Sequence, residues 1–193
     1  MTIIPATPAD IPALVPLVNA AYRGEGQNKN AADGQDKSQD QSQDQSQGED
    51  NPKGWTSESH LIKGSRTNAA GITELIQAPY SVMLKCIDEE GQLAGCVHLE
   101  KQEEKLYLGM LSVWPNRQGQ GIGKYMLTAA ANYAAKNKCP KIRITVISAR
   151  PELIAWYERH GYQRTGEAQP FHASEKLGIQ KQPLELVVLE RPV

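Results

Sequence analysis

Three alternating glycines in the sequence QGQGIG, residues 118–123, constrain the fold of this chain more than any other feature. A segment with strand-like alternation, 105–114, precedes them, and a segment with a helical period of apolar residues, 121–138, follows. Glycine tolerates a positive φ and allows close approach to the backbone. A strand, a glycine turn and a helix in this order predict a place where backbone N–H groups and a helix N-terminus meet an anion such as a pyrophosphate.

Two familiar phosphate-binding motifs do not fit this turn. GxxxxGK[ST] fails because Lys124 is followed by Tyr125 and because Gln118 stands where the first glycine belongs. GxGxxG fails because the glycines occupy positions 119, 121 and 123, and no acidic residue follows about 20 positions on in a ribose-binding context. Both failures weigh against nucleotide hydrolysis and hydride transfer. A turn that binds no ligand stays open as an alternative.

The rest of the chain alternates between helical and strand-like patterns, which predicts a single α/β (α+β) domain over residues 1–193. The expected helices are 10–22, 56–63, 67–77, 121–138 and 151–160, and the expected strands are 3–4, 81–87, 93–102, 105–114, 141–147, 162–166 and 184–191. Of the strands, 81–87, 93–102 and 105–114 are expected to form an antiparallel meander.

Residues 27–53 differ in composition from their surroundings. The part from 35 to 50 repeats Ser, Gln and Asp and has no aliphatic or aromatic residue. Such a segment cannot bury enough apolar surface to offset the entropy lost on ordering. We therefore predict a disordered insertion within the domain, which is tolerated because loop-closure entropy grows slowly with length.

Charge and composition weigh against several partner classes. The net charge of −1 gives no basic surface for nucleic acid. The chain has neither a basic leader nor a run of about 18 apolar residues, so we expect no association with a membrane. The three cysteines, at positions 86, 96 and 139, follow no disulfide or metal-site spacing. We expect a soluble protein of the reducing cytoplasm that holds no metal.

Read with its flanks, the glycine turn resembles the central motif of the GNAT acyltransferase superfamily. The family pattern Gln/Arg-x-x-Gly-x-Gly/Ala matches Gln118, Gly121 and Gly123, and the LSVWP segment at 111–115 matches the strand end that precedes it. Downstream, YERHGY at 157–162 looks like the family's Tyr-Glu-Arg-x-Gly-Phe/Tyr helix end. The resemblance is close over about 80–167 and holds only in element order for the amino-terminal third.

The resemblance implies a GNAT acyltransferase fold, with a mixed, largely antiparallel central sheet of about seven strands, flanking helices, and a splay between the fourth and fifth strands. It implies direct transfer of an acetyl group from acetyl-CoA to a primary amine of a small molecule or peptide. Two alternatives from other classes are a non-catalytic acyl-CoA-binding or regulatory module and a nucleotide-binding module. The acceptor itself is not identified.

The resemblance also implies which residues bind acetyl-CoA. The backbone of 111–113 would pair with the pantetheine arm, and an N–H near Val113 would stabilise the oxyanion. The turn would hold the pyrophosphate, with Arg117 and Lys124 as additional cations. The expected contacts are Leu111, Ser112, Val113, Arg117, Gln118, Gly119, Gln120, Gly121, Ile122, Gly123 and Lys124.

The loop before the last helix departs from the family pattern. The family often has an asparagine there that contacts the pantetheine, whereas this chain has VISAR at 146–150. Ser148 is expected to supply a shorter hydrogen bond instead, and Arg150 is expected to reach a phosphate.

Tyr157 is the candidate general acid, because its phenol can donate a proton to the departing thiolate; the alternative is an aromatic residue that only fills the core. Glu100 is the candidate general base, and strand alternation places it on the same face as His98. Glu103 and Glu104 border the same region but fit solvated turn residues, and many family members use ordered water as the base.

The acceptor side is expected to include Trp55, Glu58 and Arg66, which follow the insertion, together with the segment 170–172. An amino acid, a small amine, an antibiotic and a protein amino terminus all stay open as acceptors. The apolar strand at 184–189 is a candidate for pairing across a homodimer.

Overall fold

The computed structural model describes residues 1–24, 54–171 and 178–193. The insertion predicted at 27–53 lies outside these ranges. The described helices are α1 (Ile11–Arg23), α2 (Ala69–Gln77), α3 (Ile122–Lys136) and α4 (Pro151–Arg159). The described strands are β1 (Thr2–Pro5), β2 (Ile62–Lys63), β3 (Ser81–Ile87), β4 (Leu93–Gln102), β5 (Lys105–Val113), β6 (Lys141–Ile147), β7 (Gln163–Pro170), β8 (Ile179–Gln180) and β9 (Glu185–Pro192).

Seven strands form one mixed sheet in the spatial order β1-β3-β4-β5-β6-β9-β7. All neighbours are antiparallel except β5 and β6, which run parallel. These two strands pair only where residues 105–107 face residues 141–143, and they then separate. In chain order they are the fourth and fifth strands of this sheet. The predicted fold class, the number of strands and the splay are confirmed.

A bulge in β5 accompanies the separation. The register between β4 and β5 shifts between Cys96 and His98, and Met110 on β5 has a φ of 53°. This left-handed conformation is uncommon for a residue with a side chain, and a bulge bends the strand that carries it. Beyond Tyr107, one edge of β5 is therefore released from pairing with β6 and borders the space between the two strands.

Helices cover both faces of the sheet. On one face, α1 and α2 bury Leu14, Leu17 and Ile72 against the strands. On the other, α3 and α4 bury a larger apolar cluster that includes Met126 and Ile154. The helix predicted at 121–138 is α3 in the structure, and its buried residues recur at helical spacing. They are Ile122, Met126, Leu127, Ala130 and Ala134.

The helix predicted at 56–63 is wrong. The chain forms turns there and then enters β2, which pairs with β8. Backbone groups of this segment bond to distant parts of the chain: the Glu58 N–H donates to the Tyr22 carbonyl at 2.7 Å, and the Leu61 carbonyl accepts from the Lys181 N–H at 2.9 Å. Tertiary hydrogen bonds hold this segment, which also forms a turn in which the Ile62 N–H donates to the Glu58 carbonyl at 3.0 Å. Across the described ranges, no helix combines the length and apolarity needed to span a membrane.

Candidate functional site

A cavity of about 510 Å³ lies beside the free edge of β5, bounded by the glycine turn, α4 and the segment that follows the insertion. Most of the predicted acetyl-CoA contacts line it, namely Leu111, Val113, Arg117, Gln118, Gly119, Gly121, Ile122, Gly123 and Lys124. The predicted general acid Tyr157 and the predicted acceptor residue Trp55 line it as well. Lining residues that sequence reasoning missed are Tyr22, Thr56, Glu152, Leu153, Trp156, Arg159 and His160.

The three glycines of the turn have different roles. Gly119 and Gly121 have φ angles of 82° and 81°, in the left-handed region, and Gly121 is the N-cap of α3. A Cβ at either would meet no atom of the described residues within 4 Å, so these residues leave the space above the turn open. A Cβ on Gly123 would instead lie 3.3 Å from Trp156. Two glycines therefore shape the turn, while the third allows α4 to pack against α3.

The side chain of Gln118 points into the protein. Its Nε2 donates to Thr56 Oγ1 at 2.9 Å and to the Val113 carbonyl at 3.2 Å. Its Oε1 is buried and has no hydrogen-bond partner among the described residues. The side chain thus joins the end of β5 to the segment after the insertion, and only the backbone of Gln118 is suited to hold an anion.

Cationic side chains surround the turn. Arg117 forms an ion pair with Asp88, whose pKa this contact holds below its ordinary value. Lys124 is exposed on the first turn of α3, and Arg159 lines the cavity from α4. Together with the N-terminus of α3, these charges favour a bound anion such as a phosphate.

Three predicted acetyl-CoA contacts do not line the cavity. Ser112 is buried, and its hydroxyl donates to the Met110 carbonyl at 3.1 Å. Gln120 is exposed. Ser148 is also exposed. Its N–H donates to the carbonyl of Glu185, the first residue of β9, at 2.8 Å. The structure therefore places Ser148 outside the cavity wall.

The proposed base is also outside the lining. Glu100 lies half-buried on β4 and accepts a hydrogen bond from Gln102 Nε2 at 3.1 Å. His98, on the same strand, is buried, and burial lowers its pKa. Its Nε2 is 2.7 Å from Ser81 Oγ, which donates its own proton to the Leu75 carbonyl. His98 Nε2 must therefore be the donor to Ser81, which fits a structural role for this histidine.

Tyr157 is buried in the wall of the cavity. Its ring packs edge-on against Trp156 and Tyr162, with centroids at 4.9 Å and 5.4 Å. Burial raises the pKa of Tyr157 well above its ordinary value of 10.0, so the phenol keeps its proton at neutral pH. Burial likewise raises the pKa of Tyr22. The packing explains why Tyr157 is fixed in place, and its position leaves it available as a proton donor.

Arg150 does not reach the cavity, which corrects the expectation that it contacts a phosphate. Its side chain is 1% exposed and forms an ion pair with Glu152. Its Nη1 donates to the Thr56 carbonyl at 3.0 Å and its Nη2 to the Trp55 carbonyl at 2.9 Å. The guanidinium therefore forms its hydrogen bonds with other groups of the protein.

The predicted acceptor residues are dispersed. Trp55 lines the cavity, whereas Glu58 and Arg66 do not. Glu58 is buried in an ion pair with Arg23 at 3.0 Å, and the Arg66 guanidinium lies 5.1 Å from the ring centroid of Tyr22. Of the predicted wall at 170–172, residue 172 lies outside the described part of the chain.

Within the described part of the chain, no group of three or more His, Cys, Asp or Glu residues is arranged to hold a metal ion.

Comparisons with known proteins agree with this architecture. The model of the acetyltransferase (GNAT) family matches residues 44–162. The mouse protein "N-acetyltransferase family 8 member 7" is 25% identical over 119 residues, which cover 58% of this chain and 52% of that protein. The chain spans about half the length of the curated relatives it matches.

Two solved structures are similar in fold. The ribosomal-protein-S18-alanine N-acetyltransferase from Escherichia coli has a TM-score of 0.64 at 12% identity, over 100% of this chain and 93% of that one. A GNAT family acetyltransferase from Elizabethkingia anophelis, solved with acetyl-CoA bound, has a TM-score of 0.51 at 15% identity, over 63% of this chain and 81% of that one. At these identities the likeness shows the fold.

Proposed function

The chain belongs to the acetyltransferase (GNAT) family, and from this premise we propose that it transfers an acetyl group from acetyl-CoA directly to a primary amine of a small molecule or peptide. The observation that carries the proposal is one cavity that combines the glycine turn, the free edge of β5 and the buried phenol of Tyr157. These are the parts that a thioester donor requires: an anion site, a backbone edge and a proton donor.

The donor would lie along the cavity from the turn to Tyr157. Its pyrophosphate would accept hydrogen bonds from the backbone N–H groups of 118–124, with Arg117 and Lys124 at its sides. Its pantetheine arm would pair with the backbone of 111–113, where β5 has left β6. A backbone N–H near Val113 would then donate to the thioester oxygen as negative charge develops on it.

Transfer requires one C–N bond to form and one C–S bond to break. The amine nitrogen attacks the thioester carbon, and the resulting tetrahedral intermediate expels the CoA thiolate. Tyr157 donates its proton to that thiolate, and the proton lost by the amine passes to a base and from there, through solvent, to the Tyr157 phenolate. Ordered water is favoured over Glu100 as this base, because Glu100 does not line the cavity.

Thiol release from acetyl-CoA, measured with a panel of primary amines, tests this function. We expect amine-dependent release by the wild type and a loss of about 100-fold or more in kcat for Tyr157→Phe. Tyr133→Phe is the matched control, since Tyr133 is half-buried on α3 and does not line the cavity. Tight CoA binding without amine-dependent release would instead support a non-catalytic acyl-CoA-binding module. Thermal stabilisation by ATP or NAD, and not by CoA, would support a nucleotide-binding module.

A further inference from the structure

The segment 54–58, here called the wall loop, is fixed at several points although it directly follows the insertion. Thr56 Oγ1 donates to the Ala21 carbonyl at 2.8 Å and accepts from Gln118 Nε2 at 2.9 Å. The Glu58 N–H donates to the Tyr22 carbonyl at 2.7 Å. The wall loop is therefore attached both to the end of α1 and to the glycine turn.

Arg150 makes the remaining attachment. Its two Nη groups donate to the carbonyls of Trp55 and Thr56, and its Nε pairs with the carboxylate of Glu152. A planar guanidinium can hold two adjacent carbonyls at once, whereas a lysine ammonium is a single point charge on a flexible stem. With a side chain only 1% exposed, Arg150 acts on the wall loop and not on a ligand.

These two hydrogen bonds restrain the backbone that carries the Trp55 side chain. Its indole lines the cavity, is 43% exposed, and lies 6.1 Å from the ring centroid of Trp156. Trp156 in turn packs against Gly123 on the first turn of α3. A large aromatic ring that lines a cavity and is still exposed offers contact area to a ligand.

We propose that Arg150 is a positioning residue that holds Trp55 in place as a binding surface for the CoA arm of the donor. The donor side is favoured over the acceptor side for two reasons. The indole lies near Trp156, which contacts the turn, and the next residue in the chain, Thr56, is bonded to Gln118 of the turn. This inference rests on the proposed function, since it assigns a further contact to the same acetyl-CoA site.

A double-mutant cycle on the full chain tests the inference, with the dissociation constant of CoA measured by calorimetry. We expect Arg150→Lys and Trp55→Ala each to weaken CoA binding by about tenfold, and Trp55→Phe to retain part of the affinity. If Arg150 acts through Trp55, the double variant binds no more weakly than Trp55→Ala alone. A purely structural role for Arg150 would give independent, additive losses. Arg143→Lys is the matched control, since its ion pairs with Glu167 and Glu190 lie outside the cavity.

The outcomes separate this inference from the proposed function. If the wild type does not bind CoA, the proposed function fails first. If the wild type binds CoA and Trp55→Ala binds it equally well, the inference is overturned while the proposed function stands. Additive losses overturn it as well. Because Trp55 is substantially exposed, Trp55→Ala is expected to fold even if Arg150→Lys does not, so the result for Trp55 alone can reject the inference.

Discussion

The indole of Trp156 lies against the backbone of Gly123, where a Cβ would come within 3.3 Å of the ring. The same indole has its centroid 6.1 Å from that of Trp55 and 4.3 Å from that of His160. All four residues line the cavity. The aromatic side of the cavity therefore depends on the absence of one methyl group at the start of α3.

Gly123→Ala is expected to weaken CoA binding severalfold while changing the free energy of unfolding by no more than about 1 kcal/mol. Alanine favours the helix by up to about 1 kcal/mol, and this gain opposes the cost of displacing Trp156 by a few tenths of an ångström. Calorimetric titration with CoA and urea denaturation measure the two effects.

Gly91→Ala is the control for the glycine prediction. Gly91 has a φ of 78°, and in the described part of the chain no atom lies within 4 Å of a Cβ built there, so its substitution strains the backbone without contacting the cavity. Gly91→Ala should cost about 1–2 kcal/mol in stability and leave CoA affinity unchanged. Wild-type affinity in Gly123→Ala would show that Trp156 adapts freely and would reject the prediction.

The sequence was sufficient to predict the glycine turn and most elements around it, because periodicity and glycine spacing are local properties. It did not distinguish Gly123 from Gly119 and Gly121, since the Trp156 contact joins residues far apart in the chain. The incorrect prediction of a helix at 56–63 also results from contacts between residues far apart in the chain. The backbone of this segment is held by Tyr22, Arg150 and Lys181, and no local pattern encodes those partners.

The candidate site was predictable to a similar extent. Resemblance at the turn and at Tyr157 led to residues that line one cavity. Strand alternation placed His98 and Glu100 on one face, but alternation cannot say where along β4 a cavity lies. For Arg150, sequence reasoning gave the charge correctly and the partner incorrectly, because the direction of a long side chain depends on which acceptors the fold brings near it.

The raised pKa of Tyr157 predicts a pH profile. Because burial holds this pKa well above 10.0, the phenol should remain a proton donor throughout the range from about pH 7 to about pH 10. We expect kcat of the wild type to show no alkaline decrease in this range, measured by thiol release with saturating acetyl-CoA and acceptor. An alkaline decrease that is present in the wild type and absent in Tyr157→Phe would show that Tyr157 loses its proton within this range and would reject the predicted rise in its pKa.

The buried His98 predicts a loss of stability in acid. Burial lowers its pKa in the folded state, although Glu100 acts in the opposite direction, so the unfolded chain binds the proton more readily. The contribution of His98 to the unfolding free energy is then complete above about pH 6.5 and decreases as the pH falls below that value. Urea denaturation at about pH 7.5 and about pH 5.5 should show a smaller acid-induced loss for His98→Gln than for the wild type. Equal acid-induced losses of stability in the two proteins would count against this prediction.

Lys124 should contribute to CoA binding through its charge. It is exposed at the edge of the cavity on the first turn of α3, so Lys124→Met is expected to weaken CoA binding about threefold at low salt. The difference should shrink in about 0.5 M salt, since exposed charges are then strongly screened. Lys136→Met, at the opposite end of the same helix, is the control and should bind CoA like the wild type. A salt-independent loss in Lys124→Met would point to packing instead of charge.

The buried ion pair between Arg23 and Glu58 should stabilise the fold only as a pair. Their side chains are 5% and 9% exposed and 3.0 Å apart, and Arg23 Nε also donates to the Gly64 carbonyl at 2.9 Å. Arg23→Met would leave an unpaired buried carboxylate and is expected to cost about 3–5 kcal/mol, measured by urea denaturation. Arg23→Met combined with Glu58→Leu removes both charges and should recover much of that loss.

Since Glu58 ends the wall loop, a double variant that is stable but binds CoA weakly would indicate that the pair also positions this loop. A double variant less stable than Arg23→Met alone would mean that the unpaired charge is not the source of the cost.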